Sequence, residues 1–285
     1  MEYRATKPVV KFWIKGVLKE FYSPLIMGIL NVTPDSFFDG GSFFSVEKAV
    51  KQAVSLKENG ADIIDIGAYS SRPNATHISE LEEFNRLSPV LVAVRKALPD
   101  VIISIDTFRA NIAKEAVNLG ADMINDISAG ELDSAMFETI AKLNVPYIMM
   151  HTKGTPQNMQ QNADYEDLIG EITNYFAEKI YRLRLLGANN LIIDPGFGFA
   201  KNVEHNYLLM NKLHHFQIFE LPVLVGVSRK SMIYKFLNIT PQEALNATTV
   251  LHTIALQKGA QILRVHDVKE AKETILILKK LQETI

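Results

Sequence analysis

Cysteine is absent from the chain, which excludes disulfides and thiolate metal centres and suits a reducing compartment. A field of one sign is missing too. Thirty basic residues stand against 32 acidic ones, leaving a formal charge of -2, so nothing general attracts nucleic acid or an anionic membrane surface. No stretch approaches the roughly 20 apolar residues of a membrane span, and Lys11 and Lys15 break up the VVKFWIKGVL segment near the N-terminus. GxGxxG, a Walker lysine motif and HExxH are all lacking, and His214 and His215 read as surface residues on a helix. These absences predict a soluble, cytoplasmic protein, with neither nucleic acid nor membrane as partner.

What is present is organised around Met27 to Gly41, MGILNVTPDSFFDGG. Leu25 to Leu30 is an apolar run of strand length, and Asn31 ends it in a loop that carries Asp35, Asp39, Phe37 and Phe38. A plain connector needs turn residues alone; adjacent aromatics imply a loop that closes over something. Upstream, residues 8–22 alternate weakly around Gly16 and predict a hairpin. Downstream, short apolar runs recur near 25–30, 62–66, 101–105, 122–126, 146–150, 190–194, 222–227 and 261–265, each followed by a helical pattern. Gly60, Gly120, Gly187 and Gly259 stand just before strands, where left-handed helix caps belong. Eight such units predict an α/β fold, a (β/α)8 TIM barrel with a short N-terminal hairpin extension; an open doubly wound sheet is the alternative. With no linker of distinct composition, one domain is expected over 1–285, with residues 1–23 as the extension and 24–285 as the barrel.

Barrel chemistry lies at the carboxyl ends of the strands. Polar residues occupy those ends throughout: Asn31, Asp65 leading into Ser70, Ser71 and Arg72, then Asp106, Asn125, His151, Asp194, Ser228 to Lys230, and Arg264 with His266. Any one of them could be a satisfied core or capping residue, but convergence from every strand argues for a site. Asp106, Asn125 and Asp194 would project from a nearly dry floor. Two carboxylates and an amide suit a flat heterocycle rich in N–H donors, with a carboxylate-bound divalent cation as the competing reading. Lys230 could neutralise them or bond ring atoms. Arg264 and His266 are two apart and share a strand face, making an anion site, while Asp267 is expected to cap the last helix.

Taken together, MGILNVTPDSFFDGG, SSRP, SIDTF, INDIS, MMHTKGTPQNM, DPGFGFAKNVEHN, GVSRKS and ILRVHDV resemble the dihydropteroate synthase family across residues 24 to 275. The resemblance implies condensation of 6-hydroxymethyl-7,8-dihydropterin diphosphate with 4-aminobenzoate, giving 7,8-dihydropteroate and diphosphate for folate synthesis, with sulfonamides competing for the aminobenzoate site. It puts pterin recognition on Asp106, Asn125, Asp194, Lys230 and Arg264, with Ile127 and Met149 packing the ring. Aminobenzoate would be framed by Ser71, Arg72, Pro73, Phe199, Ser228 and Lys230. Diphosphate would meet Asn31, Arg72, Arg264 and His266, with Mg2+ as cofactor at Asn31. Asp35, Arg72, Lys230, Arg264 and His266 would carry catalysis, and a homodimer is implied, with Ala247 to Leu256 compatible with its interface. A pterin-binding paralogue without catalysis and a pterin-dependent methyltransferase are the alternatives; the diphosphate cations and the aminobenzoate loop favour the synthase. Departures from the family's usual pattern include the following. Tyr69 stands for an acid, Ser71 for Thr, and Ala200 for Gly.

Overall fold

The computed structural model describes residues 9–32, 41–70 and 77–284, with 41–45 described in backbone only. Two strands, β1 (Val10–Ile14) and β2 (Val17–Phe21), pair antiparallel through a two-residue loop. Lys15 and Gly16 have φ of 49° and 77°, the double positive φ that a type I′ link demands. The main sheet follows: β3 (Leu25–Asn31), β4 (Ile63–Gly67), β5 (Ile102–Asp106), β6 (Met123–Asp126), β7 (Tyr147–Met150), β8 (Leu191–Asp194), β9 (Leu224–Val225) and β10 (Ile262–Val265). Every pairing in it is parallel, in the order β8-β7-β6-β5-β4-β3-β10-β9. A parallel bridge between Ile193 and Val223 closes the ring. The expected (β/α)8 barrel with its N-terminal hairpin is the observed fold, and each strand lies within two residues of the run that marked it.

Around the barrel lie α1 (Gly41–Glu58), α2 (Glu80–Ala97), α3 (Ala110–Asn118), α4 (Met136–Leu143), α5 (Leu168–Leu185), α6 (Val203–Asn211), α7 (Ser231–Leu237), α8 (Leu245–Gln257) and α9 (Val268–Gln282). Four of them end on the same dipeptide, Gly-Ala. Gly60, Gly120, Gly187 and Gly259 all have positive φ, and Ala61, Ala121, Ala188 and Ala260 each donate a backbone bond to the carbonyl five residues back. This is the Schellman arrangement, in which glycine takes the left-handed position without steric cost and the chain turns directly into the next strand.

Strand side chains alternate between two layers. Ile64, Ile66, Ile103, Ile105, Ile124, Ile193 and Val265 face outward and bury against the helices. Leu25, Met27, Ile63, Met123, Ile148, Ile192, Leu224 and Ile262 face inward at the amino-terminal end of the barrel. Val10, Phe12 and Ile14 of the hairpin pack onto that inner layer and plug the bottom. Asn190 completes the plug: its amide accepts from Trp13 N–H at 3.2 Å and donates to Trp13 O at 2.6 Å, standing in for a neighbouring strand. With one end sealed by hydrocarbon, the inward polar residues collect at the other. Phe12→Ala should cost about 3 kcal/mol, the lower range for a buried Phe truncation, in urea unfolding. A loss below about 1 kcal/mol would show that the barrel does not depend on its plug.

Candidate active site

The mouth is built on one cation between two carboxylates. Arg264, inward-facing on β10, donates Nε to Asp65 Oδ2 at 2.7 Å and Nη2 to Asp106 Oδ2 at 2.8 Å. Asn125 Nδ2 donates to the same Asp65 oxygen at 3.1 Å, so strands β4, β5, β6 and β10 meet in one network. Asp65 is fully buried, and its Oδ1 finds no hydrogen-bond partner among the described residues. From the sequence alone Asp65 reads only as a lead into the next loop. The signal of a larger role is local: a carboxylate inside the apolar strand IIDIG must find a cation or lose its charge. Burial pushes Asp106 up to about 7, against the pull of Arg264 and with repulsion from Asp65 assisting. Burial also works against the Arg264 charge, but Asp65 and Asp106 outweigh it and raise the guanidinium pKa.

Across the mouth, Asp194 ends β8 and accepts from Gly196 N–H at 2.8 Å. Burial raises its pKa, opposed chiefly by Lys230. Lys230 precedes α7, yet it is no solvated helix-start lysine: its ammonium donates to Phe197 O and lies 4.6 Å from the centre of the Phe199 ring. Burial draws it down to about 8, with Asp194 holding against that fall. Beside these groups Ile127, Met150, Tyr69 and Phe108 form an apolar cluster at the mouth, with Phe199 packed against it.

Met149 is not part of that cluster. It pairs in register with Asp126 and Ile193 and packs in the outward layer with the helices, whereas Met150 lies opposite Asp194 and faces in. The expectation that Met149 packs the ring is therefore corrected by one residue, because neighbouring strand side chains point to opposite faces. Asp267 is corrected as well. It stands at the start of α9, but its side chain makes no cap; both its oxygens are taken by Arg229 at 2.8 Å.

Ser228 and His266 come together, with Ser228 Oγ 3.0 Å from His266 Nδ1 and accepting from His266 N–H at 3.2 Å. Asn31 stands half-buried at the end of β3 beside Gly67, where an added Cβ would lie 3.4 Å from Asp106 Cβ and 3.7 Å from Asn31 Oδ1. Gly67 thus keeps the space between Asn31 and Asp106 open. Asp35, Ser71, Arg72 and Pro73 lie outside the described residues. Tyr69 is buried, with its hydroxyl 3.1 Å from His77 Nδ1 and accepting from Gln157 Nε2 at 3.0 Å. Ala200 has φ of 46°, which gives the physical reason that glycine is usual there. A separate surface cavity of about 450 Å³, lined in part by Lys153, Asp164 and Glu171, holds none of these residues. Among the described residues no three His, Asp or Glu side chains are grouped to hold a metal ion.

Residues 27–266 match the family model described as pterin binding enzyme. The dihydropteroate synthase of Escherichia coli (strain K12) is 42% identical over 272 residues, covering 95% of this chain and 96% of that protein. A crystal structure of the Yersinia pestis dihydropteroate synthase with a sulfonamide drug superposes with a TM-score of 0.89 at 41% identity, covering 96% of this chain and 100% of the other. The Xanthomonas albilineans dihydropteroate synthase with 4-aminobenzoic acid gives 0.89 at 35% identity, over 97% and 99% of the two chains.

The raised pKa of Asp106 has a sign. The folded chain holds this proton up to about pH 7, whereas an unfolded Asp releases it near its ordinary value of 3.8, so this group's contribution to stability falls as pH rises through that window. Asp106→Asn should therefore gain stability relative to the parent between about pH 4.5 and about pH 7.5 in urea unfolding. A difference that stays flat would show Asp106 ionised throughout.

Proposed function

The chain belongs to the dihydropteroate synthase family, and from that premise we propose how its residues divide the work. The enzyme condenses 6-hydroxymethyl-7,8-dihydropterin diphosphate with 4-aminobenzoate, releasing diphosphate and 7,8-dihydropteroate for folate synthesis. The observation that carries the assignment is the gathering of Asp106, Asn125, Asp194, Lys230 and Arg264 around one mouth. Asp106 and Asp194 would accept pterin N–H bonds, and Asn125 would both donate and accept. Ile127 and Met150 would flank the ring, Arg264 would offer a guanidinium face, and Lys230 would turn ammonium donors not used by Phe197 O toward ring acceptors. Phe199, Ser228 and Lys230, with Ser71, Arg72 and Pro73, would frame aminobenzoate. The Xanthomonas complex with 4-aminobenzoic acid and the Yersinia complex with a sulfonamide support extending that subsite, and sulfonamide competition, to this chain.

Diphosphate would lie against Asn31, Arg72, Arg264 and His266. The donor set fits Mg2+: one neutral amide oxygen beside the space left by Gly67, with the remaining ligands from phosphate oxygens and water, as this hard ion prefers. Bound there, Mg2+ would neutralise charge on the leaving diphosphate. The displacement is dissociative in this reading. Arg264 and His266 stabilise the departing anion, the buried carboxylates favour the cationic pterin methylene, and the arylamine attacks without a tuned general base. Such a cation demands exclusion of water, a role for the first loop and its carboxylate Asp35.

The chain would work as one barrel domain, 24–285, with 1–23 as its extension, in the cytoplasm. A homodimer through α6 to α8 is supported by exposed apolar side chains there: Leu208, Phe236, Leu237 and Val250, with Phe236 64% exposed. Part of the Ala247 to Leu256 stretch fits this surface, while Leu251 and Ala255 of the same helix are buried.

The direct test is release of diphosphate from the pterin substrate with Mg2+, with and without 4-aminobenzoate, alongside detection of dihydropteroate. Pterin binding without aminobenzoate-dependent product would leave the non-catalytic reading standing. Arg264→Ala should lower kcat at least about 100-fold, the scale for removing an oxyanion donor; near-normal turnover would refute its assignment. The two methionines should separate. Met150→Ala is expected to weaken pterin binding about tenfold by calorimetry, whereas Met149→Ala should cost about 3 kcal/mol of stability with binding unchanged.

A further inference from the structure

Between β8 and α6 the backbone carbonyls are held one after another by side chains. Gly196 O accepts from Lys201 Nζ at 3.0 Å, Phe197 O from Lys230 Nζ, and Gly198 O from Gln160 Nε2 at 3.0 Å. Phe199 O accepts from Lys201 Nζ at 3.0 Å and Ala200 O from the Tyr165 hydroxyl at 2.9 Å. Five consecutive carbonyls that would ordinarily face water or a neighbouring strand are committed. Gly196 also packs closely against the end of β7, where an added Cβ would lie 2.0 Å from the His151 carbonyl oxygen.

Lys201 makes two of the five bonds and differs from the other donors. It is 3% exposed, and its third contact is His151 Nδ1 at 3.0 Å. An ammonium has three donors, and here three acceptors surround it, so none is left for a substrate. Burial lowers His151, with the Lys201 charge adding to the effect, so its ring is neutral; opposite the ammonium form of Lys201, Nδ1 is the acceptor. A buried ammonium costs several kcal/mol unless it is compensated. Burial draws Lys201 down to about 7; of the charges facing it, Asp194 favours the ammonium, and Lys230 and Lys153 oppose it. A neutral side chain could bond carbonyls at lower cost, as Gln160 does. The loop so fixed presents Phe197 O to Lys230 and sets the Phe199 ring beneath the same ammonium.

We propose that Lys201 is a positioning residue for the condensation, clamping the β8–α6 loop so that the Phe199 ring is set for the arylamine substrate. The proposal rests on the preceding reading of Phe199 as part of the aminobenzoate subsite. Lys201→Met should raise KM for 4-aminobenzoate about tenfold while KM for the pterin diphosphate changes less than about threefold. Because Lys201 acts through Phe199, the Lys201→Met, Phe199→Ala double variant should be no worse toward aminobenzoate than Phe199→Ala alone. A folded Lys201→Met enzyme with normal aminobenzoate KM, or additive effects in the double variant, overturns the proposal. A normal aminobenzoate KM in Phe199→Ala would instead sink the subsite reading. If Lys201→Met does not fold, His151 supplies the test. His151→Asn, which keeps an acceptor, should behave as the parent, and His151→Leu should raise the aminobenzoate KM about threefold; equal KM values for the two would also overturn it.

Discussion

A guanidinium suspended between one fully buried carboxylate and one partly buried one is the constraint on which the mouth of this barrel depends. Arg264 reaches from β10 past β3 to carboxylates on β4 and β5, and Asn125 of β6 joins at Asp65. Breaking such a buried group by deleting one partner typically costs about 3–5 kcal/mol, because the charges left behind have neither water nor a counter-ion. The same desolvation that makes the network costly makes it useful. It raises Asp106 to about 7 and lowers Lys230 to about 8, so both groups can change protonation state close to neutral pH.

The barrel makes that network possible by dividing its interior into levels. Hydrocarbon from the hairpin and the lower strand residues fills the amino-terminal end, leaving polar side chains a single exit at the other. Outward-facing isoleucines and valines pack against the helices, and the four Gly-Ala caps return the chain to the sheet with little loop to spare. Rigidity continues into the loop after β8, where side chains hold five carbonyls in succession. The scaffold therefore delivers Asp194, Phe199 and Lys230 from fixed backbone, as a site that must orient two substrates requires.

Much of this was legible in the sequence because it depends on local chemistry. Eight apolar runs gave the strands, the glycines before them marked the caps, and the polar residue after each run marked the mouth. Where the reading slipped, the error was one of facing. Met149 and Met150 are equivalent in composition and hydropathy, and their alternation becomes known only when a neighbouring strand supplies the register. Asp267 has the sequence position of a helix cap, but a guanidinium 38 residues away offers it two charge-assisted bonds that a cap cannot match.

By itself, then, the sequence determined the eight-unit architecture, the family motifs and the set of residue types available at the strand ends, since hydrophobic period and turn chemistry act over a few neighbours. Only the tertiary structure decided which of those residues meet. Arg264 and Asp65 are 199 positions apart, and Lys201 and His151 are 50 apart. Such pairings require the ring to close and the strand register to be set, and a low-dielectric interior then turns proximity into ion pairs, shifted pKa values and a clamped loop.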